Sequence, residues 1–169
     1  MSPVTRTRWV TFNCYDTLVD RQARRPFDDV ESALARLRAK GYKLAVLTNC
    51  DDDLFEATHR SFRRPFDLFV TAERVLGYKP APWHFRAFEL ITRVRKGDWV
   101  HVSSSVFHDI APAQAFGVKS VWLERARSAD DAATGSVRVH NAVEIISAID
   151  QLFEQSTDWL TVRAEPQLC

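Results

Sequence analysis

Cysteine is scarce in this sequence, and the few residues present argue against two common uses of the thiol. Cys14, Cys50 and Cys169 are odd in number and have no metal-ligand spacing. A disulfide framework and a thiolate metal site are therefore not expected. Cys14 and Cys50 each follow a predicted strand, so we expect them to lie near one another as reduced thiols in a cytoplasmic protein.

Net charge and long apolar runs are lacking as well. The sequence has 23 Lys and Arg against 22 Asp and Glu, a formal charge of +1 that would gather neither nucleic acid nor an anionic membrane. No apolar run is long enough to cross a bilayer, and "MSPVTRTRWV" lacks the apolar core of a secretion signal. We therefore expect a cytoplasmic protein with no nucleic-acid or membrane partner.

What the sequence does contain is the alternation of apolar strands and amphipathic helices that is typical of a parallel sheet covered on both faces. With 169 residues, 46% of them hydrophobic, it predicts an α/β protein with one three-layer, Rossmann-like domain over residues 1–156 and a tail over 157–169. The predicted strands are 9–13, 43–48, 68–70, 99–103 and 120–123, and the predicted helices are 29–40, 52–62, 82–94, 109–116 and 142–153. Residues 125–136 are small and polar and predict a surface loop.

Polar clusters follow several of these strands, where ligands collect in open α/β sheets. The first strand runs into "RWVTFNCYDTLVD", which presents the neutral amide of Asn13 where an enzyme strand would be expected to present a carboxylate. The residues that we expect to form one polar pocket are Asn13, Tyr15, Asp16, Thr17, Thr48, Asn49, Lys79, Ser103, Ser104, Ser105 and Asp109. Each is a weak signal alone, because a Ser or Thr after a strand is usually a helix cap.

The order of these clusters resembles the haloacid dehalogenase-like superfamily. "FNCYDTLVD" is similar to its first motif, Asp-x-x-Gly-Thr-Leu, and "LAVLTNC" to the second, a Ser or Thr that ends a strand. "YKPAPWHF" resembles the lysine motif, and "HVSSSVFHDIAPAQAFG" the fourth motif, with Asp109 as its acidic residue. The resemblance implies the superfamily core, with strand order 3-2-1-4-5. It also implies catalytic roles at positions 13, 79 and 109, and substrate or leaving-group binding by Tyr15, Thr17, Thr48, Asn49 and Ser103 to Ser105. Asp16 is a further catalytic candidate, on its own position rather than on the resemblance.

The resemblance points to the 2-haloacid dehalogenase branch rather than to the phosphatases. Phosphatases carry a second aspartate two positions after the nucleophile, and here that position is Tyr15. They also hold Mg²⁺ with an acidic pair in the fourth motif, where this chain has Ser104 and Ser105. Few hard anionic ligands remain, so Mg²⁺ is disfavoured and we expect neither a metal site nor a cofactor.

Two residues of the first motif depart from the family pattern. A dehalogenase of this type attacks with an aspartate carboxylate, and the amide of Asn13 has no charged oxygen with which to do so. Asp16 stands where the family has Gly, and Asp tolerates a left-handed turn better than most residues. We interpret Asp16 either as a turn residue bonded locally, to Lys79 or to Thr17, or as a relocated base or electrostatic partner.

The third departure is a missing lid. Capped relatives insert a helical domain between the first two motifs, but Asn13 and Thr48 are only 35 positions apart (48 − 13) and a helix and a strand use most of them. The predicted core is therefore capless, and its open apolar rim predicts a protein partner or a second copy over the pocket. Arg21, Arg24 or Arg25 could replace part of the lid's contacts with the substrate. The alternative interpretation is that these arginines form a solvated rim.

Three functions remain open on these residues. The first is non-covalent displacement of halide, sulfate or phosphate from a small-molecule substrate, including intramolecular ring formation in a specialised biosynthetic pathway, with help from a partner protein. The second is a non-catalytic subunit that stabilises a catalytic partner. The third is a conventional dehalogenase or phosphatase rescued by Asp16 or by deamidation. We interpret His101 as structural, and His108 either as a helix-start residue or as a proton carrier.

Overall fold

The computed structural model describes residues 6–125 and 137–155, which form a six-stranded sheet with helices on both faces. Its strands are β1 (Trp9–Phe12), β4 (Lys43–Thr48), β5 (Leu68–Thr71), β6 (Trp99–Ser103), β7 (Lys119–Leu123) and β8 (Val137–Val139); β2 (Val19–Asp20) and β3 (Arg25–Pro26) form a separate antiparallel hairpin. The helices are α1 (Val30–Ala39), α2 (Asp52–His59), α3 (Ala72–Val75), α4 (Trp83–Thr92), α5 (Ala111–Ala115) and α6 (Glu144–Glu154).

The strand order is β5-β4-β1-β6-β7-β8, and every pair in this sheet is parallel. The five predicted strands therefore lie in the predicted order 3-2-1-4-5, which confirms the α/β, Rossmann-like core. The order reverses at β1, which lies between β4 and β6. Because ligands bind outside the carboxyl ends of strands at such a reversal, the residues after β1 are placed where a site is expected.

Alternating side chains of the strands fill two apolar layers. On β1, Val10 and Phe12 belong to the layer covered by α1 and α6. Trp9 faces the opposite layer, where Phe85 and Phe88 of α4 pack on Trp99. Thr11 lies on this second face too, because side chains two positions apart on a strand share a face. Asn13 continues the same alternation beyond the strand end.

Several elements differ from the sequence prediction. The hairpin β2–β3, the one-turn helix α3 and the edge strand β8 were not predicted. The predicted helix 109–116 is replaced by a π-helical turn, Val106–Ile110, followed by α5. The predicted loop falls mainly in 126–136, and the predicted tail in 157–169, both outside the described residues. None of the described helices combines the length and apolar character that a membrane span requires.

The segment that joins β1 to β4 is short and ordered along its whole length. It consists of the hairpin, helix α1 and their turns, and the structure describes all of it. Arg125 ties this segment to the core, because its Nε donates to the Thr17 carbonyl at 3.0 Å and its Nη1 lies 3.0 Å from Asp29 Oδ2. The hairpin therefore borders the carboxyl end of the sheet.

Truncation of a core aromatic on α4 should measure how much this layer contributes to stability. Phe88 is fully buried, with ring centroids 5.3 Å from Trp9 and 4.8 Å from Trp99. We expect Phe88→Ala to lower the free energy of unfolding by about 3–5 kcal/mol. Leu90, on the same helix but 81% exposed, is the matched control. Leu90→Ala should change the free energy of unfolding by about 0.5 kcal/mol or less. Urea unfolding of both variants tests the assignment, and equal losses would contradict it.

Candidate active site

A pocket of about 410 Å³ opens at the carboxyl ends of the central strands. This volume lies within the range of small-molecule sites. Its lining residues are Asn13, Tyr15, Asp16, Arg21, Thr48, Asn49, Lys79, Ser104, Ser105, His108 and Asp109. Nine of the eleven residues predicted for the site therefore line one pocket, together with Arg21 and His108. Thr17 and Ser103 lie behind the wall and are fully buried.

A buried ion pair forms the floor of this pocket. Lys79 Nζ lies 2.5 Å from Asp109 Oδ1, and both side chains are 1% exposed. The same ammonium donates to the Leu47 carbonyl at 2.7 Å and to Asn13 Oδ1 at 3.1 Å. An ammonium has three N–H donors, so Lys79 has an acceptor inside the protein for each of them.

Asp109 is held from its other sides by two residues of β6. Ser103 Oγ donates to Asp109 Oδ2 at 3.0 Å, and His101 Nε2 lies 3.0 Å from Oδ1. Burial raises the pKa of the Asp109 carboxyl, but Lys79 and His101 outweigh burial and leave that pKa below its usual range. Asp109 is therefore a fixed anion that accepts hydrogen bonds on both oxygens.

A hydrogen-bond chain behind His101 fixes its tautomer. Trp99 Nε1 donates to Thr11 Oγ1 at 2.8 Å, and Thr11 Oγ1 lies 2.8 Å from His101 Nδ1. Because Asp109 can only accept, His101 Nε2 carries the proton and Nδ1 accepts from Thr11. Thr11 was not among the residues predicted for the site. It is the register partner of His101 on the adjacent strand, and this strand pairing brings the two side chains together.

Asn13 uses both ends of its amide. Its oxygen accepts from Lys79, and its Nδ2 donates to the Tyr15 carbonyl at 2.9 Å and to Thr17 Oγ1 at 3.4 Å. A carboxylate could satisfy the first contact but not the second, since it has no proton to donate to a carbonyl. The backbone turn after β1 is thus complementary to an amide.

Asn49 and Thr48 position the lysine loop. The Asn49 amide forms a pair of hydrogen bonds with the backbone of Lys79, donating to its carbonyl at 3.0 Å and accepting its N–H at 2.8 Å. Thr48 is buried, and its carbonyl lies 3.0 Å from His84 Nε2. Burial and the nearby Lys79 lower the pKa of His84 to about 4, so this imidazole is neutral and donates to the carbonyl.

Thr17 and the serines after β6 join the two central strand ends. Thr17 Oγ1 accepts the Ser104 N–H at 3.0 Å and lies 3.1 Å from Ser104 Oγ. Ser103 Oγ accepts the Ser105 N–H at 3.0 Å while donating to Asp109. These hydroxyls hold the loop after β6 against the turn after β1.

The π-helical turn Val106–Ile110 separates two neighbouring side chains. The N–H groups of Asp109 and Ile110 both bond the Ser105 carbonyl, at 3.3 and 3.1 Å, so one residue is inserted into the first turn of the helix. In this turn Asp109 is buried under Lys79, whereas His108 is exposed at the pocket rim. His108 lies in the first turn of the helix, which begins at Val106, and it also lines the pocket.

Asp16 adopts the left-handed backbone conformation that its position in the motif suggested, with φ of 60°. Its carboxylate bonds neither Lys79 nor Thr17, contrary to the expected local contacts. Instead it pairs with Arg21 Nε at 3.0 Å, and both side chains are more than half exposed. An exposed pair of this kind contributes little stability. Arg21 brings a cation to the rim, because the hairpin turns back over Asp16.

The remaining wall is aromatic and anchored to α2. Tyr15 is half-buried, and its hydroxyl lies 2.7 Å from Thr58 Oγ1. Burial raises the pKa of the Tyr15 phenol, so the group is neutral. Beneath it Cys14 and Cys50 are both buried, free thiols, as expected for reduced cysteines.

The donor set does not fit a divalent cation. Mg²⁺ is held in proteins by carboxylates with free oxygens. Both oxygens of Asp109 already accept hydrogen bonds, and residue 13 offers an amide oxygen bonded to Lys79. The described residues contain no group of three or more His, Cys, Asp or Glu side chains arranged for a metal.

The ion pair should show the energetic signature of a buried network. Removing only the cation leaves a buried carboxylate without its partner, so Lys79→Met should cost about 3–5 kcal/mol in urea unfolding. The double variant Lys79→Met/Asp109→Asn should cost clearly less than the sum of the two single losses. Lys43 pairs with Asp67 at 2.8 Å and is 52% exposed. Lys43→Met is the matched control, with an expected loss of about 1 kcal/mol or less; additive losses at residues 79 and 109 would contradict the coupling.

The buried His84 should make stability depend on pH. Its folded pKa of about 4 lies below the ordinary histidine pKa of 6.5, so the unfolded chain binds the proton more readily. The contribution of neutral His84 to the free energy of unfolding is therefore complete above pH 6.5. It falls by roughly 3 kcal/mol as the pH is lowered towards 4. His84→Gln keeps a donor to the Thr48 carbonyl but cannot titrate. Denaturation between pH 4 and 7 should therefore give a flatter profile for this variant, and parallel profiles would refute the assignment.

Comparison with known proteins agrees with the geometry. The chain is 29% identical over 103 residues to haloacetate dehalogenase H-2 of Moraxella sp. (strain B), covering 60% of this chain and 46% of that protein. It is 30% identical over 112 residues to the (S)-2-haloacid dehalogenase of Pseudomonas sp. (strain YL), covering 64% and 48%. The chain thus matches slightly less than half the length of these two relatives.

Solved structures share the fold at low sequence identity. The L-2-haloacid dehalogenase from Xanthobacter autotrophicus with chloropropionic acid covalently bound aligns with a TM-score of 0.76 and 15% identity, covering 86% of this chain and 99% of that chain. The model of the haloacid dehalogenase-like hydrolases matches residues 8–123, well over half of the sequence. This chain therefore belongs to the haloacid dehalogenase-like hydrolase family.

Proposed function

We propose that this protein binds and orients a small molecule that loses halide, sulfate or phosphate, and that it forms no covalent bond through residue 13. The observation that carries this proposal is the amide of Asn13, which bridges the Lys79 ammonium and the Tyr15 carbonyl. An amide oxygen lacks the full negative charge with which a carboxylate attacks carbon. The haloacid relatives supply the substrate class by analogy.

In this proposal the attacking atom comes from water or from an amine of the substrate itself. Ring closure within one substrate needs positioning rather than an enzyme nucleophile, and positioning alone can supply much of a rate enhancement. Arg21 and the hydroxyl of Ser104 line the pocket and are available to orient an anionic leaving group. Lys79 acts indirectly, since its three donors are used inside the protein.

We further propose that another polypeptide covers the pocket. Only a hairpin and α1 lie between β1 and β4, which favours a core without the helical cap of capped relatives. Large apolar side chains stand beside the pocket residues, among them Tyr78 at 63% and Phe107 at 68% exposure. Exposed apolar groups around a site favour an interface, and a cover would exclude water from the reaction. The partner is a second copy or a different protein of the same pathway.

The reaction proposed here uses no metal, in accord with the donor chemistry of Asn13 and Asp109. The free thiols of Cys14 and Cys50 favour a cytoplasmic location.

A second function is favoured by one specific observation. Lys79 and Asp109 satisfy each other, so the pocket floor carries no uncompensated charge for a leaving group. A pocket of this kind is also compatible with a non-catalytic subunit that stabilises a catalytic partner.

The two functions are distinguished by measuring the release of sulfate from 2-aminoethyl sulfate and of chloride from (S)-2-chloropropionate. The assay is run on the chain alone and together with proteins from neighbouring genes. If displacement is non-covalent, wild type should release sulfate or chloride without an adduct on residue 13. Asn13→Asp should retain that reaction, and Lys79→Met should lower its rate by about tenfold or more. Lys43→Met, which alters an exposed pair, is the control.

Other outcomes have distinct meanings. Equal rates for wild type, Asn13→Asp and Lys79→Met in the complete complex would favour the non-catalytic subunit. New haloacid hydrolysis by Asn13→Asp would mean that only the nucleophile had been lost. A mass adduct on residue 13 of the isolated wild-type chain, formed during turnover, would overturn the proposal.

A further inference from the structure

The loop after β6 places a hydroxyl and an imidazole in contact at the pocket rim. Ser105 Oγ lies 3.1 Å from His108 Nδ1 and accepts the His108 backbone N–H at 3.2 Å. Oγ donates its own proton to Nδ1 when the ring carries its proton on Nε2, the tautomer in which Nδ1 is an acceptor. Nucleophile and base side chains in enzymes lie within about 2.6–3.2 Å of each other, and this pair meets that criterion.

The other hydroxyls after β6 have different partners. Ser103 donates to Asp109, a carboxylate held ionised by Lys79, and Ser104 contacts Thr17. Neither contact offers a base that could take a proton near neutral pH. Among the lining residues that the structure describes, Ser105 is thus the one hydroxyl bonded to an imidazole.

The other imidazoles near the pocket are not available as bases. His84 and His101 are fully buried, and neither is part of the lining. Burial lowers the pKa of both, and both donate to fixed acceptors of the framework. His108, by contrast, is exposed and lines the pocket, and its side chain is not held by an acceptor of the buried framework.

We propose that Ser105 and His108 form a nucleophile–base pair that transfers acyl groups from small esters, an activity independent of residue 13. Ser105 Oγ attacks the ester carbonyl carbon while its proton moves to His108 Nδ1. The bond from that carbon to the alcohol oxygen breaks, and the alcohol leaves with the proton from His108. Water, deprotonated by His108, then hydrolyses the acyl-serine and restores the hydroxyl.

This activity goes beyond the proposed function and uses a different atom of the same pocket. The contact also caps the π-helical turn, and the cap alone would explain why Ser105 is present. A cap requires only that Oγ accept the His108 N–H, however, and does not require an imidazole at position 108. The histidine side chain is therefore the feature that a test must address.

Phenylmethylsulfonyl fluoride tests the pair without any knowledge of the natural substrate. Ser105 Oγ would attack its sulfur, fluoride would leave, and the proton would pass to His108. We expect intact-mass and peptide mass spectrometry to find one phenylmethylsulfonyl group on Ser105 of the wild-type chain. His108→Gln, which keeps the capping hydroxyl, should slow labelling by about a hundredfold. Ser105→Ala should abolish it, and circular dichroism should verify that both variants are folded.

Ser147 supplies the matched comparison, because its hydroxyl is exposed and bonds the Glu144 carbonyl at 3.0 Å rather than an imidazole. It should remain unlabelled, and Ser147→Ala should label at the wild-type rate. Absence of label on Ser105, or an unchanged rate in His108→Gln, would overturn the proposal and reduce the contact to a helix cap. Phenylmethylsulfonyl fluoride reports on Ser105 and not on leaving-group release. Either result therefore leaves the proposed function to be tested separately by the leaving-group assay.

Discussion

The buried ion pair between Lys79 and Asp109 is the interaction on which the site depends. Taking two charges out of water costs several kcal/mol each, and attraction offsets this only when the other polar atoms are satisfied. Here the surrounding chain provides that satisfaction: the ammonium also binds the Leu47 carbonyl and Asn13, and the carboxylate accepts from His101 and Ser103. The pair therefore joins the ends of β1, β4 and β6 into one polar unit.

This charge balance explains why a neutral residue suits position 13. One cation and one anion already cancel on the pocket floor, so a carboxylate at that position would be a second anion beside a single ammonium. Its second oxygen would also face the Tyr15 carbonyl, where the amide of Asn13 now donates at 2.9 Å. Residue 13, its turn and the ion pair are mutually consistent, which fits holding and orientation better than covalent attack.

The sequence predicted the features that follow from local pattern and motif order. Apolar runs located five of the six strands, and the polar residues at the ends of β1, β4 and β6 located the pocket. Contacts that depend on register or on one inserted residue could not be predicted. Thr11 meets His101 only through the pairing of β1 with β6, and the π-helical turn has no periodic signal. The three-residue strand β8 is too short to be recognised from an alternating pattern. Asp16 pairs with Arg21 only because the hairpin folds back over it, which the sequence does not show.

The π-helical turn also divides the chemistry of the pocket between two successive residues. Consecutive residues of a helix point about 100° apart, and in this turn Asp109 points inward whereas His108 lies at the rim. The inward carboxylate is locked by three donors and cannot exchange protons with a ligand. The floor therefore supplies a fixed and neutral framework, and the contact between His108 and Ser105 lies outside it, at the rim.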